Sequence, residues 1–411
     1  MSSLSIAHYF PFPRVKVVRQ TVHDNAQSAM VYVEPDRRYR PLCHACQRPA
    51  ATVHSDGHRR ILRDLNLASA ESWLQVRYRR VWCDHCQGAR VEHLEFCQAG
   101  RRITDRLARY AHQLCKDLPV KVVAEHLGLD IKTVRKADRA FLEAQFGQVD
   151  YRDLQYLAVD EIALWKNRHG AGRYLTVVLD YLTGRIVWMG EGHRTETLNE
   201  FFEGMAPLQR LLIEAVAMDM WPPFIKSVQD YCPYAAIVFD FFHVVQSYGE
   251  VIDSVRRSEY RRAIEQRPIL KGSRYLLLKN ADRLTENQQA RLTELLEVNA
   301  KLNAVYVLRD QLKEIYRYGD RERAKRALEG WCRMAGEVDH PRMTRFIKML
   351  RMHEYGILNH CEYPISTSVL EGINSQLKRI KRNAHGFHDP EYFTLKAKQA
   401  FPGRQRTTFI G

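Results

Sequence analysis

Between residues 151 and 250, short apolar runs alternate with carboxylates placed at or near their ends, and this order constrains the fold more than any other feature of the chain. "LQYLAVDEIALW" reads as a strand ending at Asp160-Glu161. "RYLTVVLDYLTGRIVWMGEG" holds two apolar runs joined near Thr183-Gly184, hence a hairpin. "LLIEAVAMDMWPPFIKSVQDY" gives a fourth strand, then Asp219, then a helix opened by Pro222 or Pro223. "AAIVFDFFHVVQSYGEVI" gives a fifth strand ending at Asp240, followed by His243 and another helix.

Strand, hairpin, strand, helix, strand, helix is the order of an RNase H-like mixed sheet. It predicts a multidomain α/β chain with that sheet as its core. In this order Asp160 and Asp219 end neighbouring strands, where two carboxylates can converge on Mg²⁺, a hard ion that takes oxygen ligands. Two such ions can activate a water or hydroxyl and stabilise the leaving oxygen of an in-line phosphoryl transfer. Each acid also has a structural reading. Asp219 can cap the helix that begins at the prolines, and Asp180 and Asp240 can serve as turn or capping residues. Glu161 points to the opposite face from Asp160 if the strand continues, which makes it the weaker ligand.

Ahead of this core, "CHAC" puts Cys43 and Cys46 on one knuckle and "CDHC" puts Cys83 and Cys86 on a second. Four thiolates in this pattern form the tetrahedron that Zn²⁺ prefers, with no open position, so the expected zinc is structural. His44 and His85 lie inside the knuckles as substitute ligands or, more simply, as solvent-facing residues. Residues 47–82 between the knuckles call for a β-rich insertion. Within it, Leu74, Val76 and Tyr78 alternate with Gln75, Arg77 and Arg79 as a half-buried strand. The total of 9 cysteines is odd and argues against a disulfide framework.

Residues 101–145 read as a helix-turn-helix. Ile103, Leu107, Tyr110, Ala111 and Leu114 share one helical face. Pro119 opens a second helix with Val122, Val123 and Leu127 inward. Gly128 suits a tight turn, and Asp130 an N-cap. Ile131, Val134 and Phe141 are expected to face inward, leaving Lys132, Thr133, Arg135, Lys136 and Arg139 outward for a major groove. An ordinary helical hairpin with a solvated basic face would show the same pattern. The net charge of +15 favours a polyanionic partner. The absence of a run of about 18 apolar residues and of a signal-peptide layout points to a soluble, cytoplasmic protein.

Residues 251–362 look helical, with Leu292, Leu295, Leu302, Val305 and Leu312 along one stripe and a helix start at 282–286. Arg256, Arg257, Arg261 and Arg262 form a basic patch that suits a DNA backbone or a solvated helix face equally. In "STSVLEGINSQLKRIKRNAHGF", Leu370, Ile373, Leu377 and Ile380 give an amphipathic helix with Glu371, Asn374, Lys378 and Lys381 on an adjacent face. Beside the first and fourth strands, Glu371 can supply a third carboxylate while Lys378, Arg379, Lys381 and Arg382 hold a phosphodiester backbone. Its rival role is structural, because Ser368-x-x-Glu371 has the spacing of a capping box.

"VDEIALWKNRHGAGRYLTVVLD", "MDMWPPFIKSV", "DFFHVVQ" and "LEGINSQLKRIKRNAHGF" together resemble the transposases of the bacterial ISL-three insertion-sequence family, over about residues 40–400. The resemblance implies a zinc finger, a helix-turn-helix and a DDE catalytic domain in that order, with Asp160, Asp219 and Glu371 as the acids. It also implies Asp240 and His243 near the site; Glu161, beside Asp160, and Asn374, one turn after Glu371, are further candidate neighbours by position. Phe241 stands where a basic residue is usual, so a contact from that position is not carried over from the family pattern. The implied reaction is Mg²⁺- or Mn²⁺-dependent cleavage and joining of double-stranded DNA at terminal inverted repeats, by a dimer or larger assembly. A non-catalytic DNA-binding regulator and a structure-specific nuclease of the same fold are the alternatives. The expected division is a zinc module at 1–98, helix-turn-helix at 99–150, catalytic core at 151–250 and 363–401, helical insertion at 251–362 and tail at 402–411. Residues 1–40 and the tail carry no readable motif.

Overall fold

The computed structural model describes residues 10–23, 27–166, 172–262, 264–280, 283–384 and 389–404. Asp282, at the expected helix start, and the end of the tail lie outside the described residues. The chain divides into two compact units, one up to Gly147 and one from Gln148.

The first unit contains β1 (Val15–His23), β2 (Ser28–Pro35), β3 (Thr52–Leu67), β4 (Ala70–Cys83) and β5 (Gly88–Val91). They join in the order β1-β2-β4-β3, with β5 on β4. β3 and β4 are the insertion expected between the knuckles, and β4 delivers Cys83 at its last position. Period-two burial makes the core: Val31 and Val33 from β2 meet Leu62, Leu74 and Val76. The β1–β2 hairpin has no counterpart in the sequence reading.

Three helices follow, α1 (Asp105–Leu114), α2 (Val120–Leu127) and α3 (Ile131–Phe146). Their own core is Leu107, Ala108, Ala111, Val123, Ala124, Leu127, Val134 and Ala137. Gly128 adopts φ 63° at the C-cap of α2, as the tight turn requires. The Asp130 carboxylate accepts from the Lys132 and Thr133 amides and starts α3. Tyr110, Val122 and Ile131, expected inward, are exposed, because the small residues Ala111, Ala124 and Ala137 form the close contacts of this compact trihelix. Asp64 of β3 is fully buried, accepts from Thr104 at 2.6 Å and pairs with Arg106, tying the sheet to the start of α1.

The second unit is built on β6 (Tyr156–Lys166), β7 (Gly172–Asp180), β8 (Arg185–Glu191), β9 (Ala215–Met218) and β10 (Ala236–Phe239). The sheet order is β10-β9-β6-β7-β8. β10, β9 and β6 run parallel, whereas β6–β7–β8 is antiparallel, with Gly184 in the turn. β9 is apolar throughout and buried at every residue, as a strand covered on both faces must be. Connecting helices are α4 (Thr195–Glu203), α5 (Pro207–Arg210) and α6 (Pro222–Tyr231). β6 runs on past Asp160 for a further six residues, so that acid sits within the strand and not at its end.

A helical segment follows β10: α7 (Phe241–Arg262), α8 (Arg267–Leu270), α9 (Arg274–Leu278), α10 (Glu286–Val298), α11 (Ala300–Ile315), α12 (Arg321–Gly336), α13 (Pro341–Met352) and α14 (Glu354–Leu358). The chain then returns to the sheet as α15 (Ser368–Asn383) and α16 (Pro390–Ala400). Alternation along β6 sorts the two faces. Leu157 and Val159 share a core with α4, α6, α7 and the helical segment. Ala158, Ile162 and Leu164 share the other with Leu370, Ile373 and Leu377 of α15 and Phe393 of α16. Asp160 has the parity of the second set, so it projects on the side where α15 lies.

Candidate active site and nucleic-acid interface

In the first unit, the Cys43 and Cys86 sulfurs are 3.9 Å apart and those of Cys46 and Cys83 are 3.6 Å apart. All four lie within 4.8 Å of one another. A tetrahedron with metal–sulfur bonds of about 2.3 Å has edges of about 3.8 Å, so the thiols fit a four-coordinate zinc ion. The Cys86 amide beside its sulfur lowers the Cys83 thiol to about 7. Hydrogen bonding to Cys46, together with burial, pushes Cys86 up to about 12. Four thiolates so close repel one another unless a cation sits among them. His44 and His85 turn elsewhere, to the Val91 carbonyl and to Arg48.

On α3, Lys132, Arg135 and Lys136 are exposed and Thr133 is half-buried. Arg139 is engaged with Glu143 at 2.6 Å, which makes it less available to an outside anion. His112 of α1 and Asp138 of α3 form a buried pair at 2.7 Å that fixes the angle between those helices.

In the second unit, Asp160, Asp219 and Glu371 come from β6, from the end of β9 and from the first turn of α15. Burial raises the Asp160 carboxyl from 3.8 to about 6, with Asp219 and Glu161 pushing the same way and His243 opposing. Burial likewise raises Asp219, again against His243. Glu371 is raised by burial and by Asp240, and is eased by His243 and Lys378. His243 is therefore an electrostatic neighbour of all three acids. The all-oxygen donor set, its charges disfavoured by burial and by one another, suits a hard divalent cation. Among the described residues only the four cysteines bring three or more ligand atoms within 4.8 Å of one another, so the carboxylates are more widely spread than the sulfurs.

The surrounding bonds separate the earlier alternatives. Asp219 does not cap α6, whose N-cap is Trp221; its Oδ1 accepts the Trp221 amide at 3.2 Å. The capping box does not form either. α15 has Thr367 at its N-cap with no side-chain cap, and Ser368 bonds Ser366 instead. Glu371 thus falls one residue beyond the position that would reach back. Asp180 is the turn residue expected, accepting from Leu182 and Thr183. Asp240 is buried and bonded by Thr367 and the Phe242 amide, linking the end of β10 to the start of α15. Thr367 is a residue that sequence reading missed. Asn374 donates to Asp160 Oδ2 at 2.7 Å, while its own buried Oδ1 has no partner among the described residues.

Glu161 projects on the other side of β6, 3.3 Å from His193. Lys378, Arg379 and Arg382 are exposed. Lys381 departs from the outward role expected of it: its ammonium donates to the Ala163 and Leu164 carbonyls at 3.0 and 3.1 Å. In the helical segment, Arg256 and Arg257 pair with Asp253, leaving Arg261 and Arg262 as the exposed pair of that patch.

A model described as transposase matches residues 157–397, and one described as the helix-turn-helix domain of transposase family ISL3 matches residues 92–141. The chain is 40% identical over 387 residues to the transposase for insertion sequence element IS1001 of Bordetella parapertussis, covering 93% of this chain and 94% of that one. The chain belongs to the ISL3 transposase family. Transposases for insertion sequence element IS1557 from two strains of Mycobacterium tuberculosis are 29% identical over 281 residues, 62% of each chain. In this ISL3 transposase the helix-turn-helix match takes in α1, α2 and most of α3, and the catalytic match runs from β6 into α16. Membership implies a DNA-binding, DNA-cleaving enzyme. Among the described residues, no helix is long and apolar enough to cross a membrane.

Proposed function

We propose that this ISL3 transposase binds the terminal inverted repeats of its insertion sequence and cuts and joins DNA through Asp160, Asp219 and Glu371. The observation that carries the reading is register: Ala158 pairs with Ala217 across parallel β6 and β9, so Asp160 and Asp219 each follow two residues on, and Asn374, three residues after Glu371 on α15, bonds Asp160. The sheet order, with two parallel strands beside an antiparallel hairpin meander, supports an RNase H-like core. Asp160, Asp219 and Glu371 would hold the divalent cations, their oxygens being the donors a hard ion takes. Bound there, Mg²⁺ or Mn²⁺ supplies charge neutralisation at the phosphate and an activated oxygen nucleophile.

The remaining work falls to the protein. Asn374 donates to Asp160 Oδ2 and the Glu161 amide to Oδ1, so both bonds orient the carboxylate. Thr367 and Asp240 anchor the turn of α15 that presents Glu371. Lys378, Arg379 and Arg382 continue along the helix as phosphate contacts. Water attacks a phosphodiester at the element end, the P–O3′ bond breaks, and the freed 3′-hydroxyl then attacks a target strand with loss of that strand's P–O3′ bond. No covalent protein–DNA intermediate is needed. Lys132, Thr133, Arg135, Lys136 and Arg139 are the proposed groove-facing set, and the cysteine cluster holds structural zinc. Joining two ends to one target calls for a dimer or larger assembly, working in the bacterial cytoplasm. The six-part division given above is the proposed domain plan.

The test is a strand-transfer assay on a labelled duplex carrying the element end, with Mg²⁺ or EDTA, comparing wild type with Glu371→Gln. Metal-dependent nicking and joining, lost in a folded variant that still binds the end, is the expected result. End binding without any cutting would instead make the chain a regulator. Cutting of branched DNA regardless of sequence would make it a junction nuclease.

A further inference from the structure

Trp221 follows Asp219 by two residues and keeps 39% of its surface exposed. The indole thus stands open beside half-buried carboxylates, where an amphipathic ring is placed to meet a ligand. The ring is also fixed in place. Its backbone amide donates to Asp219 Oδ1 at 3.2 Å, and its indole Nε1 donates to the His193 carbonyl at 2.8 Å. Pro222 and Pro223 then restrict the backbone that follows.

The rings continue as a series. His193 lies edge-on to Trp221 with centroids 5.8 Å apart, and Tyr174 is 4.6 Å from His193. Tyr174 in turn lines an open cavity of about 410 Å³ with Glu161, Ala163, Lys378 and Lys381. Lys381 is occupied by strand carbonyls and serves as a wall, so Lys378 is the cation left to meet a ligand. The rings meet edge-on and tilted, so Trp221 offers the stacking face with His193 and Tyr174 bracing it; beside a cation this matches one strand of nucleic acid, a base face on the indole and a phosphate on the ammonium. Bases within a duplex have no free face, so the ligand must have left the stack.

We infer that Trp221, braced by His193 and Tyr174, is a stacking face for an unpaired nucleobase of the DNA strand being cut, with Lys378 on the adjoining phosphate. This inference rests on the proposed transposase reading of the same site. Holding one base out of the duplex would open the scissile phosphate to the carboxylates, and pre-fixed rings lower the ordering cost of doing so.

The experiment uses the full chain and a labelled duplex spanning the junction of element end and flank, either fully paired or with two mismatched pairs at the junction. Trp221→Ala should lower nicking of the paired duplex by about 10-fold or more, the worth of one base–aromatic stack. It should cut the mismatched duplex within about 3-fold of wild type, and Trp221→Phe should restore the paired duplex. Moving the mismatch to the element side or the flank side identifies which base is held. Equal loss on both duplexes, or no loss on either, overturns the inference. A binding measurement in the Asp160→Asn background stands apart from chemistry. There, tighter binding of mismatched than paired duplex should vanish with Trp221→Ala, and its persistence overturns the stacking face. Undiminished cutting by Asp160→Asn alone would instead overturn the carboxylate assignment.

Discussion

Asn374 of α15 donates to Asp160 Oδ2 of β6 at 2.7 Å, across 214 residues of chain. The bond, with the Glu161 amide on Oδ1, orients the carboxylate and ties the late helix to the first strand of the core. Asn374→Ala should lower Mg²⁺-dependent cleavage by about 10-fold or more, since a hydrogen bond to a charged group contributes about 1.5–3 kcal/mol. Asn374→Asp should be worse, because it adds a like charge. A Mg²⁺ titration of nicking checks this, with end binding unchanged in both variants.

The Asp160 carboxyl is raised to about 6 from 3.8 mainly by burial. Between those values the folded protein keeps a proton that the unfolded chain has lost, so stability without divalent cation falls as pH rises through that window. Asp160→Asn should remove this slope and stabilise the metal-free protein at pH 7 by about 1–3 kcal/mol. Denaturant unfolding at pH 4, 5, 6 and 7 in EDTA reads the difference. With Mg²⁺ present wild type should recover, because the cation favours the ionised acid.

Two lysines on one helix should behave differently. Lys378→Ala should weaken DNA binding and reduce the salt dependence by about one unit of slope, with little change in thermal stability. Lys381→Ala should destabilise the second unit by about 1–3 kcal/mol, because the Ala163 and Leu164 carbonyls lose their donor. Equal effects of both on DNA binding would assign Lys381 a phosphate contact after all.

The purified chain should carry one zinc ion per molecule by elemental analysis. Cys46→Ser or Cys83→Ser should lower that content and unfold the first unit, whose long β3–β4 hairpin is closed by the cluster. End binding should be lost, while unfolding of the second unit stays at its own temperature.

Most of the catalytic sheet was legible because its strands are continuous apolar runs, Gly184 marks the hairpin turn and the paired prolines mark the start of α6. The cysteine knuckles and the Gly128 and Asp130 signals of the helix-turn-helix were equally local. What escaped depended on distant partners. The extension of β6 past Asp160 comes from pairing with β7, which no local acid reports. The capping-box spacing at Ser368 was present, but Thr367 reaches Asp240 and shifts the helix start by one residue. Lys381 looked free because the carbonyls it meets belong to a strand far earlier in the chain. α4 went unread because Arg194 offers no side-chain cap.

The descent of α15 onto the sheet only after the long helical segment has a consequence for synthesis. The ribosome releases the cysteine knuckles and helix-turn-helix first, and Glu371 and Asn374 almost last. On the proposed reading, a message truncated or frameshifted within residues 241–358 would yield a product that keeps the proposed end-binding elements and lacks Glu371. Such a product would compete with intact copies for the same DNA, so premature termination would act as a dominant brake on the mobility of the element that encodes it.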